Sequence, residues 1–317
     1  MEFHDRLLFE EKPNDLLTIG ELLIDLISDE YDDTFMTDSY TKYPGGAPSN
    51  IAINARKLGI RTQMASCVGE DGFGDYLLAR LREEGMSTGF IQRSEEPTSL
   101  VAVSRSRSTP VPIFYRGADC QLVFSPPLEG AVLNSKAIHF SCWPISRLPS
   151  RRVVERVIDA ARASGVRIGF DPNYHPMIWQ RGEDGVAYVK SILAKADFVK
   201  PSEDDAERLF GPDTPENQLT KFLNYGAKLV ILTLGKDGAL VSNGKETREF
   251  PTMATDVADT TGAGDAFWSG FYSAAIKGYP LEKALKLGFA VSAYKLRFAG
   301  AIVPLPKLED IKSQFVL

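Results

Sequence analysis

The sequence predicts an α/β fold built on a mainly parallel sheet. Short apolar runs alternate with longer helical patterns, the mark of successive βα units, and glycines stand just past the helical stretches, where chains leave a helix. The 317 residues, 44% hydrophobic and 25% charged, are enough to bury a large core. In chain order, LLTI (16–19) reads as the first strand. A helix follows over 48–58, because Pro48 presets its first turn, Ile51, Ala52, Ala55 and Leu58 recur on one face, and Gly59 stands behind it. MASCV (64–68) is a strand, and 74–84 is a helix stopped by Gly85. AIHFSC (137–142), VRIGF (166–170), FVK (198–200) and LVILTL (229–234) are further strands. Helices over 150–164 and 218–224 end before Gly165 and Gly226. Each strand ends near Gly, Pro, Ser or Asp, and the ligand face is expected at those ends.

Two stretches break the alternation, 21–46 and 97–120. Both read as short alternating strands. Paired with each other they make a small separate sheet, expected as a lid over the ligand face; otherwise they are two ordinary surface hairpins. No linker divides the chain, so 1–317 is expected as one domain, with 1–14 as a ragged lead-in.

The net charge of −6 and pI near 5.3 argue against nucleic-acid or membrane-surface partners, which need clustered positive potential. Cys67, Cys120 and Cys142 are widely spaced and odd in number, so neither a disulfide framework nor a zinc site is suggested. The first residues lack the pattern of a signal peptide, and no apolar run reaches the roughly 18 residues of a membrane span. A cytoplasmic location fits.

Residues 259–267, DTTGAGDAF, open a helix whose apolar face continues through Phe267 and Phe271 to Gly278. Backbone N–H groups at such a start point outward and favour an anion. Asp265 in that first turn has a plain reading, stabilisation of the helix dipole. It also has a chemical one: the glycines at 262 and 264 let a phosphoryl group approach, and Asp265 accepts a proton from the attacking hydroxyl. Walker, protein-kinase and dinucleotide motifs are absent, since neither Gly262-x-Gly264 nor Gly72-x-Gly74 is completed by a third glycine. Upstream, GGAPSN (45–50) leads into the helix at Pro48, and Asn50 and Asn54 are amides suited to a polyol. In GELLIDLI, Leu22, Ile24 and Leu26 share one face while Asp25 points to the other.

With these residues in place, the chain resembles the PfkB family of carbohydrate kinases, and within it bacterial fructokinases, from Asp15 to Leu305. GGAPSNIAINARKLG (45–59) is similar to the family's first signature and DTTGAGDAFWSGF (259–271) to its second. The resemblance implies a ribokinase-like three-layer α/β/α sandwich with a small β-sheet lid, ATP as donor, Mg²⁺, and transfer to a sugar hydroxymethyl group. It implies Asp265 as catalytic base, with Gly262, Ala263 and Gly264 as the anion hole. Asp25, Gly45, Gly46 and Asn50 match sugar-binding positions, and Tyr115 and Arg116 match the segment that closes over the sugar. Thr233, Gly235 and Gly238 resemble the nucleotide turn, with Lys200 and Gly264 beside them on the cofactor side. Asp259 and Thr261 resemble the start of a monovalent-cation site, which makes K⁺ a candidate activator. The family's N-x-x-E corresponds to 202–205, so Asp205 is a candidate water-mediated Mg²⁺ residue, although Ser202 and Asp205 also read as a capping box. His175 stands where relatives commonly carry arginine and is kept among the sugar positions. In GFAVSAYK (288–295) an asparagine often found beside the adenine is missing.

Fructokinase is the leading reading. A 2-keto-3-deoxygluconate kinase is the nearest rival, with Arg105, Arg107 and Arg116 as carboxylate partners. An inactive sugar-binding regulator and a dinucleotide-dependent oxidoreductase are rival readings from different functional classes. An exposed edge on the lid sheet can pair two copies into a homodimer, and a covered or charged edge is equally consistent with the sequence.

Overall fold

The computed structural model describes residues 2–31, 34–105 and 112–317; Arg107 lies outside them. The strands are β1 (Asn14–Ile19), β2 (Leu23–Tyr31), β3 (Tyr40–Gly45), β4 (Thr62–Gly69), β5 (Ile91–Ser94), β6 (Leu100–Arg105), β7 (Ile113–Tyr115), β8 (Ser135–Ser141), β9 (Arg167–Asp171), β10 (Phe198–Val199), β11 (Leu229–Thr233), β12 (Ala239–Ser242) and β13 (Thr247–Phe250). A nine-stranded sheet runs β13-β12-β11-β10-β9-β8-β1-β4-β5. Neighbours from β11 to β5 are parallel, and β12 and β13 add an antiparallel hairpin. All six expected strands belong to this sheet. The three that were not expected, β5, β12 and β13, are only four residues each, too short for a periodicity to stand out.

The helices are α1 (Ala47–Lys57), α2 (Gly72–Glu83), α3 (Pro126–Leu133), α4 (Cys142–Ile145), α5 (Ser150–Ala163), α6 (Gly185–Leu193), α7 (Glu203–Phe210), α8 (Pro215–Asn224), α9 (Ala263–Ile276), α10 (Leu281–Lys295) and α11 (Leu308–Gln314). Val132, Val157, Val189 and Leu219 bring α3, α5, α6 and α8 onto one face of the sheet. Ile51, Phe271, Leu285 and Ile311 bring α1, α9, α10 and α11 onto the other. The result is a three-layer sandwich.

The two irregular stretches meet as expected. They form a four-stranded sheet, order β3-β2-β6-β7, in which β2 and β6 run parallel with Asp25 opposite Val101. Leu22 and Ile24 turn the other face of this sheet onto α1 and α2. The first residues differ from the ragged lead-in expected of them. Phe3 is fully buried and Leu7 nearly so, and the backbone N–H groups of Glu282 and Leu281 donate to the Phe3 and Asp5 carbonyls. Phe3 and Leu7 stand among scattered apolar residues in a mostly polar stretch and leave no periodic signal, yet they finish the core beside α10.

Candidate active site

From β1 the chain passes to β4 on one side of the sheet, and later returns through β8 to β9, β10 and β11 on the other. Such a reversal opens a crevice beyond the carboxyl ends of the strands. Glu21 follows β1, Asp171 ends β9, Lys200 follows β10 and Thr233 ends β11. The side chains that matter therefore hang from a rigid sheet edge.

The GAGD turn meets them from α9. Gly262 caps this helix in the left-handed region, at φ 72°, and an added Cβ would lie 2.5 Å from that of Ala301. The Ala263 N–H is bonded to the Thr260 carbonyl, which leaves the amides of Gly264 and Asp265 at the open end of the helix. Asp265 is buried and accepts from Asn50 Nδ2 at 2.9 Å. Burial, against the opposing Asn50 hydrogen bond, raises its pKa to about 6. That value suits a proton acceptor near neutral pH. The Asn50 Oδ1 atom is buried without a partner among the described residues.

Asp25 joins this group from β2. Its pKa is pushed up to about 7 by burial and by the charge of Asp265. Gly45 is required by contact: a Cβ there would lie 2.2 Å from Asp25 Oδ2. Gly46, the N-cap of α1, follows it. Glu21, which sequence reasoning did not single out, accepts from the Ala47 N–H, and burial raises its pKa to about 8. Its second oxygen has no partner among the described residues.

A carboxyl whose folded pKa is raised binds its proton more tightly folded than unfolded, so its contribution to stability is full below the unfolded pKa and is lost as pH rises through the folded one. For Glu21 that window runs from 4.5 to about 8. Glu21→Gln keeps an acceptor for Ala47 but does not ionise. Chemical denaturation at pH 5 and pH 8 is therefore expected to show the variant gaining roughly 2–4 kcal/mol on the parent across the window, at about 1.4 kcal/mol per pKa unit.

On the far side of Gly264 lies a pocket of about 490 Å³. Lys200, Thr233, Gly235, Gly238 and Gly264, the residues expected on the cofactor side, line it together with Ala263. Its apolar wall, from Met253, Val257, Phe289 and Leu296, was not anticipated, because it is assembled from a loop and a helix that each read as ordinary packing. Lys200 Nζ pairs with Asp171 Oδ2 at 2.9 Å, both side chains buried. Trp268 Nε1 donates to the same oxygen at 2.7 Å. Asp171 was also missed. A Cβ on Gly264 would stand 3.1 Å from Lys200 Nζ, so this glycine is the thin wall between the Lys200 side and the Asp265 side.

Other expected residues are tied up locally. Both Asp205 oxygens are engaged: one accepts from the Tyr174 N–H at 2.6 Å and the other from the Ser202 N–H at 2.9 Å, within a complete capping box. Among the described residues no group of three or more His, Cys, Asp or Glu is arranged to hold a metal ion. The Arg116 guanidinium is buried on Asp119, bonds the Trp143 carbonyl and Ser146, and lies 4.2 Å over the Trp143 ring. Tyr115 pairs opposite Leu100, which pairs with Ile24; its neighbour Phe114 pairs with Val101, opposite Asp25. Register thus places Phe114, and not Tyr115, on the Asp25 face. Phe114 packs edge-on to His175, whose Nδ1 accepts from the Met177 N–H. The Asp259 carboxylate accepts from the Thr261 and Gly300 amides, and the Asp259 carbonyl is taken by Lys295 Nζ at 2.7 Å. An ammonium already bound there does not fit a monovalent metal ion beside Asp259 and Thr261. The three cysteines are free and buried, and no helix among the described residues is long and apolar enough to cross a membrane.

Comparison with known proteins gives this arrangement a context. Over 315 residues the chain is 58% identical to an ATP-dependent 6-phosphofructokinase of Thermoanaerobacterium thermosaccharolyticum, covering 99% of this chain and 98% of that one. The structure of Halothermothrix orenii fructokinase superposes with a TM-score of 0.79 at 41% identity, covering 87% of this chain and 97% of that one. A fructokinase double mutant from Vibrio cholerae O395, in its fructose, ADP and potassium ion bound form, superposes at 0.82 with 25% identity, covering 96% and 99%. A family model described as pfkB family carbohydrate kinase matches residues 13–308. With both signature loops folded around one crevice, the chain belongs to the PfkB family of carbohydrate kinases.

Proposed function

We propose that the chain transfers the γ-phosphoryl group of ATP to a hydroxymethyl group of a fructose-type ketohexose. One observation carries this reading: Gly264 separates a nucleotide-sized pocket from a buried carboxylate, Asp265, that is grouped with Asn50 and Asp25. The sugar hydroxyl gives its proton to Asp265. The Gly264 and Asp265 amides and Lys200 take up charge on the transferring phosphoryl oxygens. Asp25 and the free Asn50 oxygen accept from other hydroxyls of the sugar. Mg²⁺ would enter with the nucleotide and would offset the charge of its phosphates; Asp205, with both oxygens engaged, is not free to hold it. The small sheet, with Phe114 on its inner face, serves as the lid that excludes water, and its exposed edge strands β3 and β7 are where two copies pair.

Fructose 6-phosphate is the favoured acceptor, on the strength of the 58% identical 6-phosphofructokinase; its free hydroxymethyl group is C1, because C6 is already esterified. Fructose is the second reading, favoured by the 41% identical fructokinase. A sugar acid has less support, because the 2-dehydro-3-deoxygluconokinase of Bacillus subtilis is only 29% identical to this chain. Coupled ADP release is the test, over fructose 6-phosphate, fructose, glucose, ribose, nucleosides and 2-keto-3-deoxygluconate. The expected result is the highest kcat/KM on fructose 6-phosphate, at least about tenfold above fructose, a difference of 1.4 kcal/mol in the barrier. The reverse order selects fructose. Preference for the sugar acid overturns the ketohexose reading, and binding of sugar without any ADP release makes the chain a regulator.

A further inference from the structure

The loop that carries the GAGD turn is closed by a cation that the chain itself supplies. Lys295 is the last residue of α10 and is fully buried. Its ammonium donates to the Asp259 carbonyl at 2.7 Å. Around it, two loops are bound together. The Ala258 N–H donates to the Leu296 carbonyl, the Gly300 N–H to Asp259 Oδ2 and Ser292 Oγ to the Ala263 carbonyl. Asp259 and Asp265 both lie within the electrostatic reach of Lys295.

A backbone carbonyl turned inward beside an anion-binding turn is the kind of group that would otherwise ligate a monovalent metal ion, as the sequence suggested for Asp259 and Thr261. Here a fixed positive charge already satisfies it. A second cation at the same carbonyl would face like-charge repulsion in a buried setting, where screening is weak. We propose that the Lys295 ammonium is a built-in substitute for a monovalent metal ion: it holds the 259–264 loop in its anion-binding shape, and phosphoryl transfer therefore proceeds without stimulation by K⁺. Lys295 is a positioning residue, since it touches Asp259 and not the reacting atoms. The inference rests on the phosphoryl-transfer reading of this site.

Two measurements test it, one independent of turnover. In a buffer that contains Mg²⁺ and whose only monovalent cation is tetramethylammonium, adding KCl in place of tetramethylammonium chloride is expected to change neither kcat nor the melting temperature of the parent. Lys295→Ala removes the ammonium and frees the Asp259 carbonyl. Its kcat is expected to fall roughly ten- to a hundred-fold, the range found for groups one layer behind a site. K⁺ or NH₄⁺, but not tetramethylammonium, is expected to restore part of that loss saturably and to raise the variant's melting temperature. Clear stimulation of the parent by K⁺ overturns the proposal even if the variant fails to fold. A Lys295→Ala protein that keeps full activity also overturns it, as does one that loses activity with no response to K⁺ in rate or melting. A parent with no kinase activity, but with the expected contrast in melting, overturns the phosphoryl-transfer reading and leaves the ammonium as the loop's cation.

Discussion

Asp265→Asn is expected to lower turnover by roughly 10²- to 10⁴-fold, the contribution of a well-placed general base, while sugar and ATP still bind. The substitution keeps the shape and an oxygen for the Asn50 amide to reach, so the hydrogen bond from Asn50 Nδ2 survives. Only the proton acceptor is lost. Single-turnover rates paired with calorimetric binding separate the two effects. Turnover within a few-fold of the parent would remove Asp265 from the role of base. In the parent, kcat/KM should fall tenfold per pH unit on the acid side of about 6, where Asp265 takes up a proton, and the variant should lose that limb.

The second large effect is on stability. Asp171→Ala strands the Lys200 ammonium in a buried setting and removes the acceptor of Trp268 Nε1. Breaking one side of a buried ion pair typically costs about 3–5 kcal/mol, most of it the penalty of the charge left behind. Asp171→Ala combined with Lys200→Met removes both charges. Urea denaturation should therefore find the double variant more stable than Asp171→Ala alone, although it lacks two native groups. If the double variant is instead the less stable, the pair was not strained by burial and Lys200 finds another partner. ATP binding should weaken in both, because Lys200 lines the pocket proposed for the nucleotide.

The parts of this protein that were legible in advance share one property: their signal is local. The βα alternation, the glycine stops, the helix start at Gly262 and the side of β2 that carries Asp25 all follow from neighbours in sequence. The Ser202–Asp205 capping box belongs to the same class. What escaped was set by partners far away along the chain. Asp171 and Lys200 each look like the plain end of a strand, and only the parallel pairing of β9 with β10 makes them an ion pair. Tyr115 was named on the family resemblance, and a three-residue strand carries no register of its own to set against it, since a slip of one residue exchanges its faces. Lys295 ends an apolar helix, where a basic residue ordinarily meets the helix dipole in solvent; only the return of the 259–264 loop buries it.

The docking of Phe3 onto the far end of the chain has a consequence for synthesis. Its partners on β13 and at the start of α10 are made about 250–280 residues later. At about 5–20 residues per second, that apolar segment waits on the order of 10 to 60 s for the surface that covers it. Until then, the growing polypeptide shows the ribosome's surroundings a bare phenylalanine, a leucine and the part of its sheet that α9, α10 and α11 come to cover. A nascent chain interrupted before α9 and α10 would keep all of these uncovered, which makes this the stage at which holdase chaperones have most to grip.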